Sequence, residues 1–162
     1  MEIILNNIIY DLFIEDLNNS TIDFNKDFFK VMLIGPGYEP NGKHTLEEIK
    51  KYEIGSVGYN SGGKTIGLTR YDNIVRADQP VKWADLTCEI RYAVVYRVNG
   101  KSYPIMCQDL AGGKEKIVLN NSRISLDWTD KFLDIPENDE PTGSCGILGI
   151  GILGEFTLGK EI

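Results

Sequence analysis

Apolar and polar residues alternate along much of this chain, most clearly over residues 86–98. The odd positions of that segment hold most of its polar side chains, including Glu89, Arg91 and Arg97. Its even positions are Leu86, Cys88, Ile90, Tyr92, Val94, Tyr96 and Val98. Because successive side chains of a strand point to opposite faces, the pattern predicts one buried face and one wetter face. We therefore expect residues 86–98 to form the central strand of an antiparallel sheet.

Other segments have the composition of partner strands for this sheet. Residues 28–34 are mostly apolar and end at a Gly-Pro-Gly turn, so they predict the first core strand. Asn99 and Gly100 separate two strand-like runs, which is a strong signal for a hairpin. Residues 115–119 and 123–128 predict one or two further strands. The fold class that follows is mainly β, an antiparallel β-sandwich of Ig-like or jelly-roll-like type with an N-terminal helix.

The N-terminal helix is predicted from apolar residues near helical spacing. Those residues are Ile4, Ile8, Leu12, Phe13 and Leu17. The helix is expected to end within the Asn-Asn-Ser sequence of residues 18–20. A mixed helix and strand is the alternative, because isoleucine is stiff and favours strands. A second, short helix is predicted at residues 45–52, where Thr45 and Glu48 have the spacing of a capping box.

The chain divides into three regions on these patterns. Residues 1–20 form an N-terminal helix or docking segment, residues 21–135 the β-sandwich domain, and residues 136–162 a glycine-rich extension. The extension either adds a last pair of strands to the sheet or pairs with a neighbouring subunit as an arm, since an exposed apolar strand edge invites aggregation. Its candidate intersubunit contacts are Ile147, Leu148, Ile150, Ile152 and Leu153. Such an arm predicts a homo-oligomer, with a trimer as one form.

Length and charge limit the classes of partner. The chain has 162 residues, the size of one domain with a real core. Its formal net charge of -7 argues against a nucleic-acid partner, because phosphate binding needs clustered lysine and arginine. No apolar run reaches the ~20 residues of a membrane helix, so no membrane partner is expected. The first residues lack the pattern of a signal peptide, which predicts synthesis in a cytosol.

Residues 58–65 match the pattern G-x-x-x-x-G-K-[ST] of a phosphate-binding loop. That pattern has meaning only between a buried strand and a helix. The preceding residues 51–55 are short and charged, and the following residues 65–71 are β-branched with an internal glycine, a poor start for a helix. We therefore predict a glycine-rich hairpin or bulge that binds no nucleotide, and the sequence indicates no other cofactor.

Candidate metal ligands and catalytic groups are sparse. Cys88, Cys107 and Cys145 are widely spaced and predict reduced, structural cysteines, while His44 is the only histidine and is expected to be a solvated loop residue. Asp127 begins an acidic region that contains calcium-type ligands but lacks the D-x-[DN]-x-[DN]-G spacing, which favours a solvated loop. No metal site and no catalytic residue is predicted, so the chain is expected to be non-enzymatic.

Three segments share an order and a spacing with known proteins. Residues 58–66 contain the pattern G-Y-x-x-G-G, residues 77–83 read Ala-Asp-Gln-Pro-Val-Lys-Trp, and residues 91–96 read Arg-Tyr-Ala-Val-Val-Tyr. A strand at residues 29–33 precedes them and an Asp-to-Gly turn at residues 109–113 follows. In this order they resemble a family of small virion proteins of tailed bacteriophages, which are head-fibre, capsid-decoration or minor structural proteins.

The resemblance implies a structural component of a tailed-phage virion, made in the cytoplasm of the bacterial host. It implies attachment to the capsid as a head fibre or decoration subunit, with the major capsid protein and other virion proteins as partners. A tail or neck structural protein is the alternative within the same class. A carbohydrate-binding module for host attachment is a further alternative, in which Trp83, Tyr59 and Tyr103 would stack on sugars, although large aromatic residues more often belong to a core.

Overall fold

The computed structural model describes residues 8–19, 22–98, 102–134 and 155–159. Within these residues the protein is mainly β, and every strand pairing is antiparallel, as the sequence predicts. The elements in chain order are β1 (Ile8–Ile9), α1 (Asp11–Asn18), β2 (Phe29–Ile34), α2 (Leu46–Lys50), β3 (Lys64–Ile66), β4 (Leu68–Tyr71), β5 (Ile74–Ala77), β6 (Val81–Ile90), β7 (Tyr92–Arg97), β8 (Tyr103–Asp109), β9 (Ile117–Asp127), β10 (Leu133–Asp134) and β11 (Glu155–Gly159).

The strands form three sheets that share one apolar core. A five-stranded sheet has the order β1-β8-β7-β2-β3, and two three-stranded sheets have the orders β10-β5-β4 and β11-β9-β6. Buried side chains from all three sheets meet in one cluster, with Val31, Val75 and Leu126 as examples. This packing of antiparallel sheets around a common core is sandwich-like, as expected for the fold class. Neither helix in the described ranges has the length and apolar character needed to cross a membrane.

The long central strand that the alternation predicts is in fact two strands of different sheets. β6 ends at Ile90 in one three-stranded sheet, and β7 begins at Tyr92 in the five-stranded sheet. Arg91 lies at the corner between them, where its N–H donates to the Ile34 carbonyl and its carbonyl accepts from the Leu110 N–H at 2.7 Å. The prediction of a single strand is wrong, because the alternation of apolar and polar residues continues across Arg91 although the chain passes from one sheet to another.

The Arg91 side chain fixes this corner through a buried carboxylate. Its Nη2 lies 3.2 Å from Asp109 Oδ2 and its Nε lies 3.4 Å from Oδ1, while the Asp109 side chain is fully buried. Asp109 also accepts from the N–H groups of Ala111 and Gly113 at 3.0 and 3.2 Å. Removal of the arginine would leave a buried charge without its cation, which typically costs about 3–5 kcal/mol.

β7 is buried on both faces, whereas the sequence predicts one wetter face. Ala93 and Val95 belong to the large core, and Val94 belongs to a second core on the opposite face of the five-stranded sheet. α2 covers this second core with Ile49. The second core consists of Tyr10, Met32, Ile34, Tyr38, Ile49, Tyr92, Val94, Tyr96 and Cys107. The predicted alternation does hold from Leu86 to Ile90 of β6, where Thr87 and Glu89 are exposed.

The amino-terminal region is a mixed strand and helix, the alternative that the isoleucines indicated. β1 pairs with β8, and α1 follows and ends at Asn18, as predicted. Phe13 of α1 is buried in the large core, so the helix closes one side of the sheet as a lid. The first part of the predicted helix, residues 1–7 with Ile4, lies outside the described residues.

Several local predictions are confirmed. β2 covers Phe29–Ile34, and α2 begins with a capping box in which Thr45 and Glu48 bind each other's main-chain N–H groups. β7 and β8 pair as an antiparallel hairpin, although its turn residues lie outside the described ranges. The one or two strands predicted after residue 114 are the single strand β9, where Asn121 has a φ of 55°.

The two-sided burial of β7 predicts that aspartate is not tolerated on either of its faces. Val94→Asp and Val95→Asp should each lower the free energy of unfolding by several kcal/mol, because an unpaired carboxylate would be buried. That is a large part of a typical total of about 5–15 kcal/mol. The measurement is urea denaturation followed by tryptophan fluorescence, or loss of soluble protein where a variant does not fold.

Val118→Asp is the matched control, because Val118 lies on a strand and is 65% exposed. Glu89→Gln should be nearly silent as well, since its ion pair with Lys116 is at the surface. A Val95→Asp variant as stable as Val118→Asp would contradict burial on both faces.

Candidate functional site

Residues 58–65 form a turn that leads into a strand and not into a helix. β3 begins at Lys64 and pairs antiparallel with β2, so the predicted lack of a phosphate-loop context is confirmed. Gly63 has a φ of 82°, and a β-carbon at this position would collide with the carbonyl of Val31. The glycine is therefore required by the close approach of two strands of the same sheet.

A carboxylate of the chain itself occupies the inner side of this turn. Glu53 Oε2 accepts from the Gly62 N–H at 2.6 Å and from the hydroxyl of Tyr59. Burial raises the pKa of Tyr59, which keeps its hydroxyl protonated as a donor. A phosphate in this turn would compete with Glu53 for the N–H and would be repelled by its charge.

The lysine of the pattern is also engaged by the fold. Lys64 Nζ donates to the carbonyl of Lys82 and lies 5.9 Å from the centre of the Trp83 ring. It therefore bridges β3 to β6, two strands of different sheets. Glu53 and Lys64 therefore connect the turn at residues 58–65 to neighbouring parts of the fold.

Of the three segments that carry the resemblance, residues 58–66 contact both of the others directly. The Tyr59 and Trp83 rings lie 6.0 Å apart, and the Tyr96 hydroxyl donates to the Gly62 carbonyl. These contacts lie where β3 and β6, the edge strands of two different sheets, approach each other. We call this set the motif cluster; it consists of Tyr59, Gly62, Lys64, Lys82, Trp83 and Tyr96.

The aromatic residues considered for sugar stacking are all buried. Trp83, Tyr59 and Tyr103 are 2%, 8% and 1% exposed. All three pack in the large core, so their faces are not open to a ligand. The suggestion that they stack on sugars is therefore wrong, because the rings hold the sheets together. Among the described residues, the aromatic side chains that are exposed are those of Phe28, Tyr52 and Tyr71.

His44 is not the solvated loop residue that its neighbours in sequence indicate. It is half-buried, and its Nδ1 lies 2.9 Å from the Tyr38 hydroxyl, which lies 2.8 Å from the Tyr10 hydroxyl. Burial raises the pKa of Tyr38 to about 12 and that of Tyr10 still further, so both hydroxyls stay protonated. No local pattern predicts this chain of hydrogen bonds, because Tyr10 precedes Tyr38 by 28 residues and reaches it only in the fold.

The cysteines in the described ranges are reduced, as predicted. Cys88 is half-buried and Cys107 is fully buried, and neither forms a disulfide. Burial raises the pKa of both thiols, which disfavours the reactive thiolate. Cys145 lies outside the described residues.

The acidic region after β9 is partly described. Asp127 accepts from the hydroxyl and the N–H of Thr129 at 2.6 and 2.9 Å, and these bonds lower its pKa. Asp130 is exposed, and the acidic residues after Asp134 lie outside the described ranges. Across the described part of the chain, no group of three or more His, Cys, Asp or Glu side chains is placed to hold a metal ion.

The candidate intersubunit contacts of the glycine-rich extension lie outside the described residues. They are Ile147, Leu148, Ile150, Ile152 and Leu153. The later part of the extension forms β11, which pairs with β9 of the same chain, with Glu155 opposite Asp127 and Gly159 opposite Arg123. At least one segment of the extension therefore continues the chain's own sheet, and an intersubunit role of the five apolar residues stays a prediction.

Comparison with known proteins finds no protein family, no characterised protein and no solved structure that matches this chain.

The occupation of the turn by Glu53 predicts that the protein does not bind nucleotides at residues 58–65. Titration of ATP with magnesium into the full chain should give no binding heat by calorimetry, because the anion would meet Glu53. Lys64→Ala should give the same result as the unaltered chain. Micromolar binding that Lys64→Ala abolishes would contradict the assignment of this turn to the scaffold.

Proposed function

We propose that the protein is a non-enzymatic structural component of a tailed-phage virion, attached to the capsid as a head fibre or decoration subunit. Its partners are then other virion proteins, the major capsid protein first among them. It is made in the cytoplasm of the bacterial host and resides in the virion. A tail or neck position is the alternative within the same class.

The observation that carries this proposal is the packing of the motif cluster. The segments that resemble virion proteins are far apart in sequence, yet Tyr59 contacts Trp83 and Tyr96 contacts Gly62. Contacts between residues far apart in sequence depend on the fold. The resemblance therefore concerns a shared scaffold and not a reactive site. A structural role depends on such a scaffold and does not depend on reactive side chains.

The location of the chain in purified particles tests the proposal. A peptide tag is added to the gene in the genome that encodes the chain, and particles are examined by immunogold electron microscopy and mass spectrometry. Label on heads supports the capsid position, because a decoration subunit is bound to the shell. Label on tails or necks supports the alternative, and particles without the chain would overturn the virion assignment.

The glycine-rich extension provides the contact between subunits in this proposal. A homo-oligomer, such as a trimer in a fibre, would bury the apolar residues of the extension between subunits. β11 lies C-terminal to these residues and pairs within the chain, so a deletion of the whole extension would also remove a strand. Point substitutions that keep β11 separate the two effects.

Replacement of Leu148 and Ile150 by serine should weaken the oligomer and leave the domain folded. The apolar contact between subunits is lost, so sedimentation velocity should show a shift from oligomer to monomer. Val57→Ser is the matched control, because Val57 is apolar and 82% exposed in the described structure. A double variant that stays oligomeric with an unchanged dissociation constant would contradict the arm, and one that fails to fold would assign these residues to the core.

A further inference from the structure

A polar pocket opens beside α2, and none of its lining residues belongs to the motif cluster. Its volume is about 430 Å³, and the loop before α2 and the residues that follow it form its walls. The side chains used below are Tyr38, Glu39, His44, Glu48, Lys51 and Tyr52. Pockets of several hundred Å³ accommodate small ligands, which a few well-placed polar groups orient.

The floor of the pocket is held in place by the second core. Tyr38 is only 2% exposed, and its ring packs edge-on against Tyr92 at 5.8 Å. Its hydroxyl is bound by Tyr10 and by His44 Nδ1. The other ring nitrogen of His44, Nε2, forms no hydrogen bond to any described residue.

Tyr52 offers an aromatic face on one wall. The residue is 43% exposed, and its ring lies 5.5 Å from the Tyr38 ring. Its N–H donates to the Ile49 carbonyl at 2.9 Å, and its carbonyl accepts from the Gly35 N–H at 2.8 Å. These bonds fix the main chain at Tyr52, and the contact with the Tyr38 ring orients the Tyr52 ring at the pocket wall.

The charged groups of the pocket have both signs. Glu48 Oε1 accepts from the Thr45 N–H at 2.8 Å, whereas its Oε2 accepts nothing from the described residues. The bond from Thr45 lowers the pKa of Glu48, so the carboxylate is an ionised acceptor at neutral pH. Lys51 adds a cationic donor, and Glu39 adds a second carboxylate.

Mixed donors and acceptors beside an aromatic face favour a ligand rich in hydroxyl groups. An anion such as phosphate would be repelled by Glu39 and Glu48, which outnumber the one ammonium group of these side chains. A cation would be attracted by the two carboxylates but would leave the Lys51 ammonium without an acceptor. A hydroxyl group both donates and accepts, so it satisfies carboxylates, an ammonium group and a histidine alike. The apolar face of a sugar ring also packs on an aromatic ring.

We infer that this pocket binds a saccharide, with one sugar ring stacked on Tyr52. The sugar hydroxyls donate to Glu48 Oε2 and accept from Lys51 Nζ. The site differs from the buried aromatic residues considered earlier, and it does not require the chain to reside in a virion. On a virion subunit it would bring glycans of the host surface to the particle.

Binding of methyl glycosides to the full chain tests the inference. The probes are the methyl glycosides of glucose, galactose, mannose and N-acetylglucosamine, used at millimolar concentration. The measurement is saturation-transfer NMR together with amide chemical-shift changes. We expect binding by at least one probe, with shift changes confined to the pocket and a dissociation constant in the millimolar range.

Two variants and one control identify the contacts. Tyr52→Ala should weaken binding several-fold, up to about 10-fold, the factor expected for the loss of a stacking contact. Glu48→Gln retains an oxygen for the Thr45 cap but replaces the free acceptor by an amide donor, so it should weaken binding without unfolding α2. Tyr71→Ala is the matched control, because Tyr71 is 52% exposed on β4.

The inference is overturned if no glycoside changes the pocket amides, or if Tyr71→Ala weakens binding as much as Tyr52→Ala. Binding of tetramethylammonium or inorganic phosphate in place of the glycosides would also overturn it, because charge and not hydroxyl groups would then govern the site. The glycoside titration and the immunogold experiment test separate claims. Absence of the chain from particles would overturn the virion assignment but not glycoside binding, and a lack of glycoside binding would overturn the pocket inference but not the virion assignment.

Discussion

The arrangement of the sheets depends on the ion pair between Arg91 and Asp109. Arg91 lies where the chain passes from β6 to β7, and Asp109 ends β8 with its carboxylate fully buried. A buried carboxylate is stable only when donors surround it, and here an arginine and two main-chain N–H groups do so. The same pair therefore fixes the corner between two sheets and the turn that follows β8.

The corner has a consequence for the other side of the five-stranded sheet. Once β7 leaves the sheet of β6, it lies between β2 and β8 and presents apolar side chains on both faces. A sheet with two apolar faces must be packed against other elements on both faces. Within the described residues, the two three-stranded sheets pack against only one face of the five-stranded sheet. α2 and the loop before it pack on the other apolar face of the five-stranded sheet. Tyr38 and His44 of this loop bring polar groups onto the second core, and these groups form the floor of the pocket.

Local signals in the sequence were sufficient for much of the fold. The capping box at Thr45, the strand that ends before Gly35 and the hairpin around residues 99–100 each depend on residues adjacent in the chain. The break at Arg91 was not predictable from alternation, because Asp109, the ion-pair partner of Arg91 at this corner, is 18 positions away. The same holds for the pocket: His44 is a lone histidine in the sequence, and only the fold brings it to Tyr38 and Tyr10.

Whether a glycine-rich sequence pattern can bind phosphate depends on which groups already accept from its main-chain N–H donors. In residues 58–65 the Gly62 N–H is bound by Glu53, and Lys64 is bound to a carbonyl of β6. A phosphate-binding loop needs those donors free and aimed at the ligand. Glu53 precedes the pattern by five residues and belongs to no part of it, so the pattern by itself could not reveal a turn whose N–H is satisfied within the chain. The same glycines are therefore part of the scaffold. In the described part of the chain, the pocket at Tyr52 differs from this turn because polar side chains face solvent there beside an exposed aromatic ring.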